Sequence, residues 1–252
     1  MDFNYHTHTT RCHHAQGEDR EYVEAAIRKG LKTLGFSDHA PYLFKDEKFW
    51  SAHRMETDLL HDYAESVRSL QKEYAKDIRI LLGFELEYYP DLHKDEMVFL
   101  KSVQPDYIIM GQHFLGNEID QPYSGVLRDD KFLVQYVSQV LEGLATGDFL
   151  YLAHPDLAGY TFSDELITSE YRRLCEGAKR MGIPLEINLL GIRTHRHYPS
   201  PRLFEIAAEV GNDIILGSDA HDPENVKDER SEKIALEMVN SLGLHLIDKP
   251  IV

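Results

Sequence analysis

The sequence predicts an α/β fold in one domain, a TIM-like (β/α)7 barrel in which seven parallel strands each lead into a helix. Helical and strand-like patterns alternate from end to end of the 252 residues, and no linker, repeat or low-complexity segment interrupts them. The strand-like runs are short, apolar and partly β-branched, as strands buried on both faces of a parallel sheet are. A chain of this length favours closing such a sheet into a barrel; an open doubly wound sheet is the structural alternative.

The elements follow in order. The first strand, 3–5, precedes a helix over 18–30 that has acids in its first turn, apolar residues at helical spacing, and Arg28-Lys29 before Gly30. Strand 33–37 leads into a long loop carrying Phe44, Phe49 and Trp50, residues suited to core packing or to a lid, and then a helix over 55–76. Strands 78–87, 107–111, 149–153, 185–188 and 213–218 alternate with helices over 92–102, 129–145, 164–181, 201–210 and 229–241.

Bulk composition sets limits on function. With 42% hydrophobic and 28% charged residues the chain is ordinary for a globular protein, and no apolar run is long enough to cross a bilayer. Met1-Asp2-Phe3-Asn4 lacks the basic start and apolar core of a signal peptide, so a cytoplasmic location is expected. Cys12 and Cys175 are too isolated for a disulfide framework and are read as reduced thiols. A net charge of −16 disfavours nucleic acid and anionic membranes as partners, although a cluster of metal cations could still attract a small anion.

The unusual count is histidine, at 14 residues. Strand one runs into His6-Thr7-His8, strand two into Asp38-His39, strand three into Glu85-Leu86-Glu87, and strand four into Gln112-His113. Strand five runs into His154-Pro155-Asp156, strand six ends at Glu186 and Asn188, and strand seven runs into Asp219-Ala220-His221. In a parallel barrel these ends share one rim, where such folds build their sites.

Residues two apart on an extended segment point the same way, so His6 and His8 can aim at one ion, and Asp219 with His221 can do so from the other side. Imidazole and carboxylate donors suit Zn²⁺, Mn²⁺ or Fe²⁺, and seven histidines with two acids exceed what one ion needs, which points to two or three metals. Such a cluster makes water a nucleophile near neutral pH and offsets charge on several oxygens, so phosphate esters are the natural substrates. His53, His61, His93 and His245 lie in or beside helical patterns or near the chain end and are read as surface residues.

The ordered motifs "HTH", "CHH", "SDHAP", "GFELEY", "GQHFLG", "AHPD", "LEIN" and "GSDAH" resemble the PHP (polymerase and histidinol phosphatase) superfamily, and more closely its monofunctional histidinol-phosphatases, over nearly the whole chain. The resemblance implies a distorted seven-stranded barrel, the PHP fold, with three divalent metal ions, hydrolysing L-histidinol phosphate in histidine biosynthesis. It implies one metal on His6, His8, Glu85 and Asp219, a second on Glu85, His113 and His154, and a third on His14, His39 and His221. His13 is the possible substitute for His14. Asp219, Glu85 and His154 carry the catalytic expectation, and a nearby histidine or Asp156 would protonate the leaving alcohol.

Leu189-Leu190-Gly191-Ile192-Arg193 resembles a family loop whose arginine contacts the substrate phosphate, so Arg193 is expected there, with Arg196 or His197 contributing. Asp38 is expected to orient a ligand or to act as a cap, Glu87 to orient a ligand or to face the substrate, and Glu186 and Asn188 either to line the site or to bond within the barrel. Two other functions fit the same residues: a phosphoesterase acting on small nucleotides, and a metal-binding module without turnover.

Overall fold

The computed structural model describes residues 1–46, 48–121, 123–126, 129–158 and 163–252. Four parallel strands, β1 (Phe3–Asn4), β2 (Thr33–His39), β3 (Arg79–Leu86) and β4 (Tyr107–Met110), form one curled sheet in sequential order. Three more, β5 (Leu185–Asn188), β6 (Asp213–Gly217) and β7 (His245–Leu246), form a second parallel sheet. Strand β2 is buried along its whole length and β3 along all but Arg79, as expected when a parallel sheet is covered on both faces.

The helices lie where their periodicity places them: α1 (Asp19–Arg28), α2 (Leu60–Glu73), α3 (His93–Lys101), α4 (Asp130–Leu144) and α5 (Asp164–Met181), then α7 (Pro201–Val210) and α8 (Glu229–Leu242), with a short α6 (Leu189–Arg193) between β5 and α7. Helix α1 shows why. Glu18 and Glu21 form a reciprocal capping box, Tyr22, Val23, Ala25 and Ala26 face the core, and Gly30 takes a positive φ of 75° just past its end.

The structure corrects the sequence at three places. A continuous seven-stranded ladder is absent among the described residues, because segment 149–153 makes only single bridges, Leu152 pairing with Met110 on one side and Leu185 on the other. Pro184 has no N–H to extend that pairing, and the chain turns at His154, where φ is +29°. The seventh strand is instead β7, two residues near the chain end that carry no strand pattern, and α6 is a helix where a loop was expected.

On the far side, Thr7 bridges Ala220, with the Ala220 N–H donating to the His6 carbonyl and the His8 N–H to the Ala220 carbonyl. A small apolar cluster of Phe3, Tyr5, Leu81, Tyr107, Ile109, Tyr151, Ala153 and Ile215 draws on β1, β3, β4, segment 149–153 and β6. The larger core lies between the strands and the helices. No helix among the described residues is long and apolar enough to cross a membrane.

Candidate metal centre and active site

The C-terminal ends of the strands bring all nine expected ligands together. Glu85, near the end of β3, lies at the centre, with Oε2 at 3.0 Å from His39 Nδ1 and 3.5 Å from both His6 Nε2 and His8 Nε2. Its Oε1 is 2.8 Å from His154 Nε2 and 3.8 Å from His113 Nε2. Asp219 Oδ1 faces the same space, 3.1 Å from His8 Nε2, 3.3 Å from His221 Nδ1 and 3.6 Å from His6 Nε2.

His14 sits beside the third group, its ring centroid 4.7 Å from that of His221 and 5.2 Å from that of His39. His13 turns the other way, towards Glu56 at 3.3 Å and the Trp50 ring. Backbone strain accompanies this convergence, since His154 and Asp219 hold positive φ values of 29° and 46°.

Two glycines make room for the acids. A Cβ on Gly111 would stand 1.7 Å from Glu85 Oε1, and one on Gly217 would stand 1.7 Å from Glu186 Oε1. The carboxylates therefore lie across the neighbouring strands only because those positions lack a side chain.

Behind the inner residues lies a layer of buried partners. His6 Nδ1 donates to Glu186 Oε1 at 2.8 Å, which directs Nε2 inward; the other oxygen of Glu186 accepts from the His154 N–H at 3.0 Å. Asn188 Nδ2 donates to Glu186 at 2.9 Å and to Asp219 Oδ2 at 3.1 Å, and Asp38 Oδ1 lies 3.4 Å from His8 Nδ1. Glu186 and Asn188 thus hydrogen-bond to the expected ligands and do not line the cavity.

Electrostatics point to cations. Burial opposes ionisation of Glu85 and Asp219, yet the surrounding imidazoles hold both carboxyls well below the usual range. Burial likewise disfavours charge on His6, but Glu186, Asp219 and Glu85 together push it up to about 10. Among the described residues, His6 Nε2, His8 Nε2, Glu85 Oε2, Asp219 Oδ1 and His221 Nε2 are buried without a well-formed hydrogen bond. Each such atom costs about 1–3 kcal/mol unless something takes it up. Divalent cations fit this donor set of nitrogen and oxygen atoms.

A cavity of about 600 Å³ opens on the cluster. Beyond the expected ligands its walls include Phe114, Tyr123, Leu190 and Tyr198, and among the described residues Arg54 and Arg196 are its arginines. Arg193 does not line it: its Nη2 donates to the Ser218 and Asp219 carbonyls at 3.2 and 3.1 Å, and Asp228 lies 3.5 Å from Nη1. His197 is also turned away, its Nε2 bonded to the Leu157 carbonyl at 2.8 Å.

Asp156 is buried off the cavity, where its carboxylate accepts from the Ser200 N–H and burial raises it to about 7. His53 is exposed, as expected, and also lines the cavity, whereas His93, expected at the surface, is buried against Asp148 at 2.9 Å. Phe44 and Phe49 pack edge to face, and Trp50 is largely exposed and bonded to Glu56; none of the three reaches the cavity. Arg54 had no signal in the sequence, because it lies in an irregular segment with no motif around it.

A parallel α/β fold with imidazoles and carboxylates gathered at the ends of its strands defines a class, and the chain belongs to it: the profile of the PHP domain matches residues 4–189. A probable histidinol-phosphatase of Deinococcus radiodurans is 31% identical over 239 residues, which cover 88% of this chain and 86% of that protein. A probable histidinol-phosphatase of Schizosaccharomyces pombe is 28% identical over 260 residues, covering 90% and 82%. A histidinol phosphate phosphatase of Lactococcus lactis, solved with zinc, L-histidinol and phosphate, shares the fold, with a TM-score of 0.74 at 21% identity over 98% of this chain and 95% of that one.

Proposed function

We propose that this chain is a metal-dependent phosphomonoesterase that hydrolyses L-histidinol phosphate to L-histidinol and inorganic phosphate, a step of histidine biosynthesis. The observation that carries the reading is the set of buried nitrogen and oxygen atoms without well-formed hydrogen bonds gathered beside one cavity, in a chain similar over 88% of its length to a probable histidinol-phosphatase. The two sheets are read as one distorted seven-stranded barrel with its seams at Leu152 and at Thr7 and Ala220.

We assign His6, His8, Glu85 and Asp219 to one ion, Glu85, His113 and His154 to a second, and His14, His39 and His221 to a third, with zinc, manganese and iron all suited to these donors. Cations held there would supply Lewis acidity, making water a nucleophile at neutral pH and offsetting charge on the phosphoryl oxygens. The protein's own residues do the rest. Glu85 and Asp219 stay ionised, Glu186 keeps the Nε2 side of the His6 ring turned inward, and Arg196 provides the guanidinium that meets the phosphate. A cavity imidazole outside the ligand set, His53, is better placed than Asp156 to protonate the leaving alcohol.

Phosphate release from the metal-loaded protein, compared across histidinol phosphate, p-nitrophenyl phosphate and nucleoside bisphosphates, tests this reading. The highest kcat/KM is expected with histidinol phosphate; a preference for nucleotides would overturn the substrate assignment.

A further inference from the structure

Arg54 is a cavity arginine that the metal cluster does not use. Its side chain is 3% exposed, and four hydrogen bonds tie it to the protein: Nη2 to Glu87 Oε1 at 2.6 Å and to the Tyr89 hydroxyl at 3.3 Å, Nε to Glu118 Oε2 at 2.7 Å, and Nη1 to the Ala40 carbonyl at 3.3 Å. The faces of Tyr42 and Tyr89 lie 5.0 and 6.0 Å from its guanidinium carbon. A guanidinium has five N–H donors, so four protein bonds leave it little capacity to grip a phosphate.

The other oxygen of Glu87 completes the path. Oε2 accepts from the backbone N–H groups of His113 and Phe114, both at 3.0 Å, and Oε1 lies 3.6 Å from His113 Nδ1. Glu87 thus holds His113 by its main chain and faces its ring, while Arg54 neutralises and orients Glu87. From the opposite side Glu118 takes Arg54 through one oxygen and Ser51 Oγ through the other at 2.6 Å, tying the segment after β2 to the segment after β4.

We propose that Arg54 is a positioning residue: through Glu87 it fixes His113 in the orientation that holds the second metal, while Glu118 anchors Arg54 from the other side. The Glu87 and Glu118 side chains are themselves buried, so the guanidinium between them offsets the cost of keeping both carboxylates there, with the His113 ring adding to it at Glu87. Lysine cannot replace it, because a point charge does not span two carboxylates at once.

The inference rests on the phosphatase reading only in its kinetic arm, since metal binding is measured separately. Zn²⁺ or Mn²⁺ retention is measured against a graded chelator for the wild type, Arg54→Ala, Arg54→Lys and Glu118→Gln, and kcat and KM are then measured on the loaded proteins. Arg54→Ala and Arg54→Lys are expected to hold their most weakly bound ion about 10- to 100-fold less tightly, with kcat falling in step and KM within about twofold. Glu118→Gln keeps an acceptor for Nε and is expected to stay within about threefold of the wild type.

Should Arg54→Ala fail to fold, Arg54→Lys carries the same expectation. Unchanged metal retention in Arg54→Lys overturns the proposal, as does a KM rise with kcat intact, which would make Arg54 a direct substrate anchor. A loss in Glu118→Gln as large as in the Arg54 variants also overturns it, because the effect would then be a loosened cover and not one passed through Glu87. If the wild type binds metal yet leaves histidinol phosphate intact, the substrate reading fails while the retention series still decides the role of Arg54.

Discussion

The side chains of Arg193 and Arg196 take different directions although the residues are only three apart. Arg193 is bonded to the carbonyls of Ser218 and Asp219 and so supports the strained backbone that presents Asp219. Arg196 lines the cavity, with Nη1 on the Tyr198 hydroxyl at 3.0 Å. Arg193→Ala is therefore expected to lower kcat roughly 10-fold with KM nearly unchanged, whereas Arg196→Ala should raise KM roughly 10-fold through the loss of one charge-assisted contact. Steady-state kinetics of the two variants on histidinol phosphate check this, and the reverse pattern would return the phosphate contact to Arg193. The sequence drew attention to this stretch, but only side-chain direction tells its two arginines apart.

At the level of elements, α3 carries a buried acid with a stability consequence. Glu96 is fully covered, and burial raises its carboxyl to about 8 against Leu43 N–H and Arg54, which pull it down. The folded chain therefore keeps a proton up to about pH 8 that the unfolded chain releases near its ordinary value of 4.5. Above the unfolded pKa the unfolded state binds fewer protons, so stability falls as pH rises between these values and levels off once the folded group has ionised. Glu96→Gln keeps an acceptor for the Leu43 N–H without the charge. Its Tm should exceed that of the wild type by at least ~2 °C at pH 8 and by much less at pH 5. Thermal melts at both pH values are the check, and an equal shift at each would rule out titration of Glu96 as the cause.

For the molecule as a whole, cations bound at the proposed site would make the cluster of acids and imidazoles a stability element. Ligands that bind only the folded state stabilise it by about 2.7 kcal/mol at 100 times their Kd, so chelation is expected to lower the Tm by roughly 5–10 °C and to abolish phosphate release. Readdition of Zn²⁺ or Mn²⁺ should restore both. A chelated protein with an unchanged Tm and full turnover would mean that the unpaired buried atoms at Glu85, Asp219 and the histidines serve something other than metal.

The sequence by itself determined the alternation of helices and strands, the convergence of nine ligand-type residues at one end, and the family. The first two follow from local signals, periodicity and caps such as Gly30 for the elements and pairs such as His6 and His8 that leave a strand together, while the family follows from the resemblance carried by the ordered motifs. Tertiary structure alone decided that segment 149–153 makes bridges and not a ladder, that β7 closes the second sheet, that Gly111 and Gly217 vacate space for Glu85 and Glu186, and that Arg54 underlies His113 from an irregular segment. Each of these depends on what faces a residue across the fold. A side chain buried against partners far away along the chain has no periodicity to betray it, because its contacts are set by the packing of whole elements and not by the spacing of its neighbours.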